Sequence, residues 1–164
     1  MTIMTIKSAE QLAKVLAAHD TLFVRISNGP VADRKMGTSR NHQTGGRERG
    51  LSVNQSDYLT EYCFLLAGQP RAYPWLLTGR EICRGSDNEP IVVDWQPVAR
   101  IDRALFDALI EARYEQALDE GAQREGYLYP FGIFERNGRQ YLKVRDRDLN
   151  GMEFGYIVTR MVAA

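Results

Sequence analysis

Apolar residues along this chain recur first at helical spacing and then at strand spacing, which fixes an order of elements before any chemistry is considered. Leu12, Val15 and Leu16 follow Ser8 and Gln11, a capping-box pair, so the pattern predicts a helix over about Ala9–His19. Asp20 and Thr21 interrupt it, Leu22–Ser27 reads as a buried strand, and Asn28-Gly29-Pro30 turns the chain. Residues 31–49 show no periodicity and read as a long polar loop, a feature usually either functional or disordered. Leu51–Asn54 reads as a short strand. Ser56 or Asp57 caps an expected helix carrying Leu59, Tyr62, Cys63 and Leu66, which Gly68-Gln69-Pro70 ends.

Two longer strand-like runs follow, Tyr73–Cys83 and Ile91–Ile101, joined by a polar cluster from Gly85 to Pro90. Pro74 and Pro97 belong near strand ends or at an edge, because proline cannot donate to a central ladder. Asp102 caps a long helix whose face runs through Leu105, Phe106, Leu109, Ile110, Arg113, Tyr114 and Ala117 towards Gly121. The last forty residues read as strands over Tyr127–Arg136, Gln140–Arg145 and Glu153–Met161, with hairpin signals at Asn137-Gly138 and Asn150-Gly151. The expected fold is α+β: a mixed, mostly antiparallel sheet of about six or seven strands with three helices packed on one face. Residues 1–125 form the main domain, and residues 126–164 form a C-terminal β-meander packed on the same core.

The bulk numbers narrow the field by exclusion. With 164 residues and 44% apolar content the chain supports its own core without disulfides. Lys plus Arg equals Asp plus Glu at 21 each, so no whole-chain field draws it to nucleic acid or membrane. Cys63 and Cys83 lack metal-ligand spacing and read as thiols of a reducing compartment. There is no signal-peptide pattern and no run long enough to span a membrane, so a cytoplasmic protein is expected. Motifs for triphosphate, dinucleotide or zinc-protease chemistry are absent. His19, at a helix end, and His42, in the polar loop, leave no histidine-based metal site, and no metal or cofactor is implied.

The candidate chemistry lies between Arg25 and Pro90. Arg25 sits inside an apolar strand and needs a partner. Either it pairs with a carboxylate such as Glu89 or Asp94, or its fork of donors holds an anion together with Ser27, Asn28 and Gly29. Ser52 and Asn54 alternate with Leu51 and Val53 and share a face. Arg84, Asp87 and Asn88 surround Glu89, whose direction is constrained by Pro90, with Arg80 and Glu81 beside them. Such a carboxylate serves either as a turn residue or as a general base. Arg34, Lys35, Arg40, Arg47 and Arg49 outnumber Asp33 and Glu48 in the loop and suggest a phosphate-contacting surface. No aromatic interleaves them, so nucleic acid ranks third. Tyr127, Tyr129, Phe131 and Phe134 fall near period two and read as a packed face of the meander.

Ser8–Ile101 resembles a family of small uncharacterised bacterial proteins. The shared pattern is AEQLAKVLAAHDTLFVRIS, SNGPVAD, TGGRERGLSVN, PWLLTGREICRGSDNEPIVV and QPVARI. The resemblance implies no agreed activity, although toxin–antitoxin, phage-defence and counter-defence systems are settings for such a protein. A weaker likeness is to the Arg–Ser–Glu arrangement of ADP-ribosyltransferases. That likeness implies Arg25 on a phosphate of NAD, Ser52 behind the nicotinamide strand and Glu89 beside the ribose cation. The leading expectation is a non-catalytic module binding an anionic ligand or a protein partner through Arg25, Ser27, Asn28, Arg84, Asp87 and Glu89. An NAD-dependent transferase is the alternative.

Overall fold

A computed structural model describes residues 3–36, 38–56, 59–60, 71–86, 88–109 and 112, and the backbone of 133–136, 139–142 and 161–162. The chain enters through β1 (Met4–Ile6), α1 (Ala9–Ala17) and β2 (Phe23–Ser27). Ser8 caps α1, its hydroxyl accepting from the Gln11 N–H at 3.2 Å, while Gln11 Oε1 accepts from the Lys7 N–H at 3.0 Å. The helix stops two residues earlier than its apolar pattern predicts. His19 Nδ1 then donates to the Val15 carbonyl at 3.0 Å, satisfying an acceptor of the last turn.

The segment expected as a loop holds a helix and a hairpin. α2 (Pro30–Met36) starts with proline at its first position, where the missing N–H costs nothing, behind Gly29 at φ +122°. The Gly29 carbonyl accepts from the Asp33 N–H at 3.0 Å. This helix buries one residue, Asp33, and leaves Val31 73% exposed. A helix held by a polar contact has no apolar stripe, which is why periodicity missed it. β3 (Ser39–Arg40) pairs antiparallel with β4 (Arg47–Glu48). Asn41 Oδ1 organises the turn between them, accepting from the N–H groups of Gln43 and Thr44 at 2.8 and 3.3 Å.

β5 (Leu51–Ser52), β6 (Asn54–Gln55), β7 (Tyr73–Arg84) and β8 (Pro90–Ile101) complete a mixed six-stranded sheet, mostly antiparallel, with the order β1-β8-β7-β2-β6 and β5 also on β8. β1 runs parallel to β8, with Met4 opposite Ala99. β5 pairs with β8 through Leu51↔Val92, and three residues on β6 pairs with β2 through Val24↔Asn54. Residues 51–55 therefore join the two sides of the β8-β7-β2 path, and the sheet curls into a ring. Phe23, Leu51, Val53, Leu77 and Val92 fill it, with Trp75 and Trp95 packed against them.

The other face of β2 and β7 carries the buried Val24, Ile26 and Leu76, and β8 and β1 add Ala99, Ile101 and Ile6 to the core. α1 contributes Leu12 and Val15 to this buried set, and α3, helical over 103–109, contributes Phe106. The Phe106 N–H donates to the Asp102 carbonyl at 2.9 Å, which places the start of α3 where the sequence puts it. No described helix is long and apolar enough to cross a membrane.

β9 (Ile133–Arg136), β10 (Arg139–Leu142) and β11 (Met161–Val162) form a three-stranded antiparallel sheet of order β11-β10-β9. β9 and β10 pair with Arg136 opposite Arg139, and the expected Asn137-Gly138 turn between them lies outside the described residues. The expected helix after Ser56, the far part of α3 and the Asn150-Gly151 turn lie outside the described residues.

The ring interior makes a direct prediction. Leu77 is 1% exposed, and Leu77→Ala should lower unfolding free energy by about 2–5 kcal/mol in a urea titration. A loss below about 1 kcal/mol would mean that the ring does not enclose a packed core.

Candidate functional site

Alternation along β2 puts Phe23, Arg25 and Ser27 on the face opposite Val24 and Ile26. The Arg25 side chain is 20% exposed and its guanidinium is occupied. Nε donates to Asp33 Oδ1 at 3.3 Å, Nη1 to the Ser52 carbonyl at 2.9 Å, and Nη2 meets the Met36 sulfur at 3.2 Å. The Ser27 hydroxyl donates to the other Asp33 oxygen at 2.7 Å and accepts from the Gly29 N–H at 3.2 Å. The carboxylate that pairs with Arg25 is thus Asp33, supplied by α2, and not Glu89 or Asp94. Asp94 instead meets Arg80 at 3.4 Å on the exposed side of the hairpin. Asn28 is exposed beside this network. Gly29 is buried against the Trp75 indole, where an added Cβ would come within 3.2 Å of Cζ2.

The β7–β8 corner is a second closed unit. The Gly85 N–H donates to the Glu89 carbonyl at 2.8 Å, and the Asn88 N–H donates to the Gly85 carbonyl at 2.9 Å. Asn88 takes φ +55°, a conformation asparagine tolerates in turns. Arg84 braces the corner, with Nη1 donating to the Asn88 carbonyl and Nη2 pairing with Glu81, each at 3.1 Å. Glu89 is 8% exposed, and its carboxylate occupies the space that a Cβ on residue 85 would need, so a larger residue there would displace the Glu89 side chain. Asp87 lies outside the described residues.

Of the Arg25, Ser52 and Glu89 set, Arg25 lies on β2 and Ser52 on β5, which do not pair with each other, and Glu89 precedes β8. Arg25 reaches the Ser52 carbonyl, and Ser52 stands in register with Ile91, two residues beyond Glu89. Of the basic residues of 34–49, Arg40 and Arg47 stand opposite each other across the β3–β4 hairpin. Arg34 stacks on the Trp95 ring at 4.4 Å, Arg40 donates to the Gly45 carbonyl at 3.1 Å, and Lys35, Arg47 and Arg49 are exposed.

Sequence reasoning passed over Arg100. Strand register lines up Arg25, Trp75 and Arg100 across β2, β7 and β8, with Thr5 next on β1. The Arg100 guanidinium lies 4.4 Å from the Tyr73 ring centre and 5.9 Å from that of Trp75, and Nη2 donates to the Thr5 hydroxyl at 3.1 Å. Among the described residues no carboxylate pairs with it. Stacking of this kind contributes about 0.5–2 kcal/mol and holds the fork flat. The signal was present as two aromatics at strand spacing, Tyr73 and Trp75, facing a late arginine.

A cleft of about 590 Å³ opens at the start of β2, and Glu81 and Arg84 are the charged residues of the Arg25–Pro90 candidate stretch that line it. Among the described residues no His, Cys, Asp or Glu group is arranged to hold a metal ion.

The fold is α+β, a mixed, mostly antiparallel sheet with helices against it. Residues 56–125 match a family of unknown function (DUF6098), a stretch that includes β7, β8 and the start of α3. No curated protein and no solved structure matches the chain.

Cys83, half-buried and free, offers a chemical check on the corner. Burial pushes its thiol above the ordinary 9.0, and the carboxylates of Glu48, Glu81 and Glu89 push the same way. The folded state thus favours the neutral thiol. That contribution to stability is fully present below the unfolded pKa and is lost as pH rises through the folded one. In a Cys63→Ser background, iodoacetamide should alkylate Cys83 several-fold more slowly near pH 8 than in urea-unfolded chain, because the thiolate is the nucleophile. Equal rates would contradict this arrangement.

Proposed function

We propose that this chain is a non-catalytic binding module that recognises an anionic group, on a small ligand or a protein partner, at the face formed by Tyr73, Trp75 and Arg100. The observation that carries this reading is the contrast between two arginines in one register row. Arg25 spends its charge on Asp33, whereas Arg100 is stacked on aromatics and has no carboxylate among the described residues. A flat, pre-oriented guanidinium suits a carboxylate or phosphate, and Arg, Tyr and Trp are the residues that anchor interfaces. Arg25, Ser27, Asn28 and Gly29 border this face as its frame, with Asp33 neutralising the frame from within. Arg84, Asn88 and Glu89 belong to the separate corner.

A second reading rests on the Arg25–Ser52 contact, with Glu89 two residues before the register partner of Ser52, an Arg–Ser–Glu order resembling that of an NAD-dependent ADP-ribosyltransferase site. It ranks lower because Glu89 is buried against Gly85 and Arg25 is already neutralised. Nucleic-acid binding through Lys35, Arg47 and Arg49 ranks third.

A thermal-shift series with inorganic phosphate, citrate, ADP-ribose, NAD and short RNA separates these readings. A saturating anion should raise Tm by a few degrees, and Arg100→Gln should abolish the shift while Glu89→Gln keeps it. An anion shift that survives Arg100→Gln would overturn the proposal. NAD turnover lost in Glu89→Gln would install the transferase. An RNA shift that falls with salt and with loss of Arg47 and Arg49 would install the nucleic-acid reading.

A further inference from the structure

The cleft opens at the start of β2, two residues before Arg25, the β2 member of the Arg100 row. Phe23 lines it, whereas Trp75, in register with both Arg25 and Arg100, does not. Its volume of about 590 Å³ falls within the range of roughly 300–1,000 Å³ typical of small-molecule sites. Phe23 and Pro90 supply a buried apolar floor, and Thr21 stands exposed at the lip.

The charged lining carries both signs. Asp20 and Glu81 are carboxylates, and Arg84 is the guanidinium. Glu81 Oε1 takes one Arg84 donor at 3.1 Å, and the Asn88 carbonyl takes another. Arg84 therefore stands braced in position with further N–H groups of its fork available. A purely anionic ligand would meet two carboxylates, and a purely cationic one would meet Arg84. A molecule holding an ammonium and a carboxylate a few bonds apart satisfies both, with the Phe23 ring beneath its apolar portion.

We infer that this cleft binds a small zwitterion of the α-amino acid or dipeptide class, its carboxylate on Arg84 and its ammonium on Asp20 and Glu81. The site is independent of the Arg100 face, and either can stand without the other.

Titration calorimetry on the full chain tests this, with free amino acids and dipeptides as probes and their amine-only and carboxylate-only counterparts as controls. Saturable zwitterion binding is expected. Arg84→Gln and Asp20→Asn should each weaken it about tenfold or more, the cost of losing a charge-assisted contact. Thr21→Trp, which fills the cleft from its exposed lip without removing a contact, should abolish binding, and Arg100→Gln should leave it unchanged. Absence of saturable binding by any zwitterion would overturn the inference. So would equal binding of the one-charge controls, or binding that survives Thr21→Trp.

Discussion

The carboxylate of Asp33 is the point on which this end of the molecule depends. It is 5% exposed and holds Arg25 with one oxygen and Ser27 with the other. A buried carboxylate without partners costs several kcal/mol, so α2 can lie against the sheet only if Arg25 and Ser27 present themselves there. The pairing is weak evidence for net stability, since an apolar pair of equal volume often does as well. Its consequence is positional. α2 is set over β2, Arg34 reaches the Trp95 ring, and Met36 lies on Arg25. Through its remaining donor Arg25 also holds the Ser52 carbonyl, at the strand pair that closes the ring.

The ring explains why a chain with such short strands packs well. β5 and β6 contribute two residues each, too few to stand as strands alone. Together they bridge β8 and β2, and Leu51 and Val53 enter the interior they help to enclose. The two twelve-residue strands β7 and β8 bend to allow this, with register shifts at Leu76/Leu77, Thr78/Arg80 and Glu81/Cys83. Asp94 takes φ +53° near the second shift, the sort of irregularity that bends a strand.

Elements with an apolar stripe were legible in the sequence. α1, β2, β7, β8 and the start of α3 follow from Leu12, Val15, Val24, Leu76 and Phe106, whose burial matches their periodicity. α2 was not legible, because its contact with the sheet is a carboxylate and not a hydrophobic face. The Gly29-Pro30 start was its one local mark. Among the candidate residues the sequence identified Arg25 as needing a partner but placed that partner on the wrong segment. The deciding contact lies eight residues away on an element that periodicity did not show. Arg100 was missed for a different reason. Its stacking on Tyr73 and Trp75 depends on the β7–β8 register, and three shifts along that ladder cannot be read from residue types.

Arg25 is thus met by a buried carboxylate, Asp33, whereas Arg34 and Arg100 are oriented by aromatic rings. A double-mutant cycle in urea unfolding tests that division at its root, using Arg25→Met, Asp33→Leu and the pair. If Asp33 neutralises Arg25, the double variant should lose less stability than the two singles together, with a coupling energy of about 1–3 kcal/mol. Additive losses, with coupling near zero, would mean that Arg25 is not neutralised within the fold, and would contradict the assignment of the recognition face to Arg100.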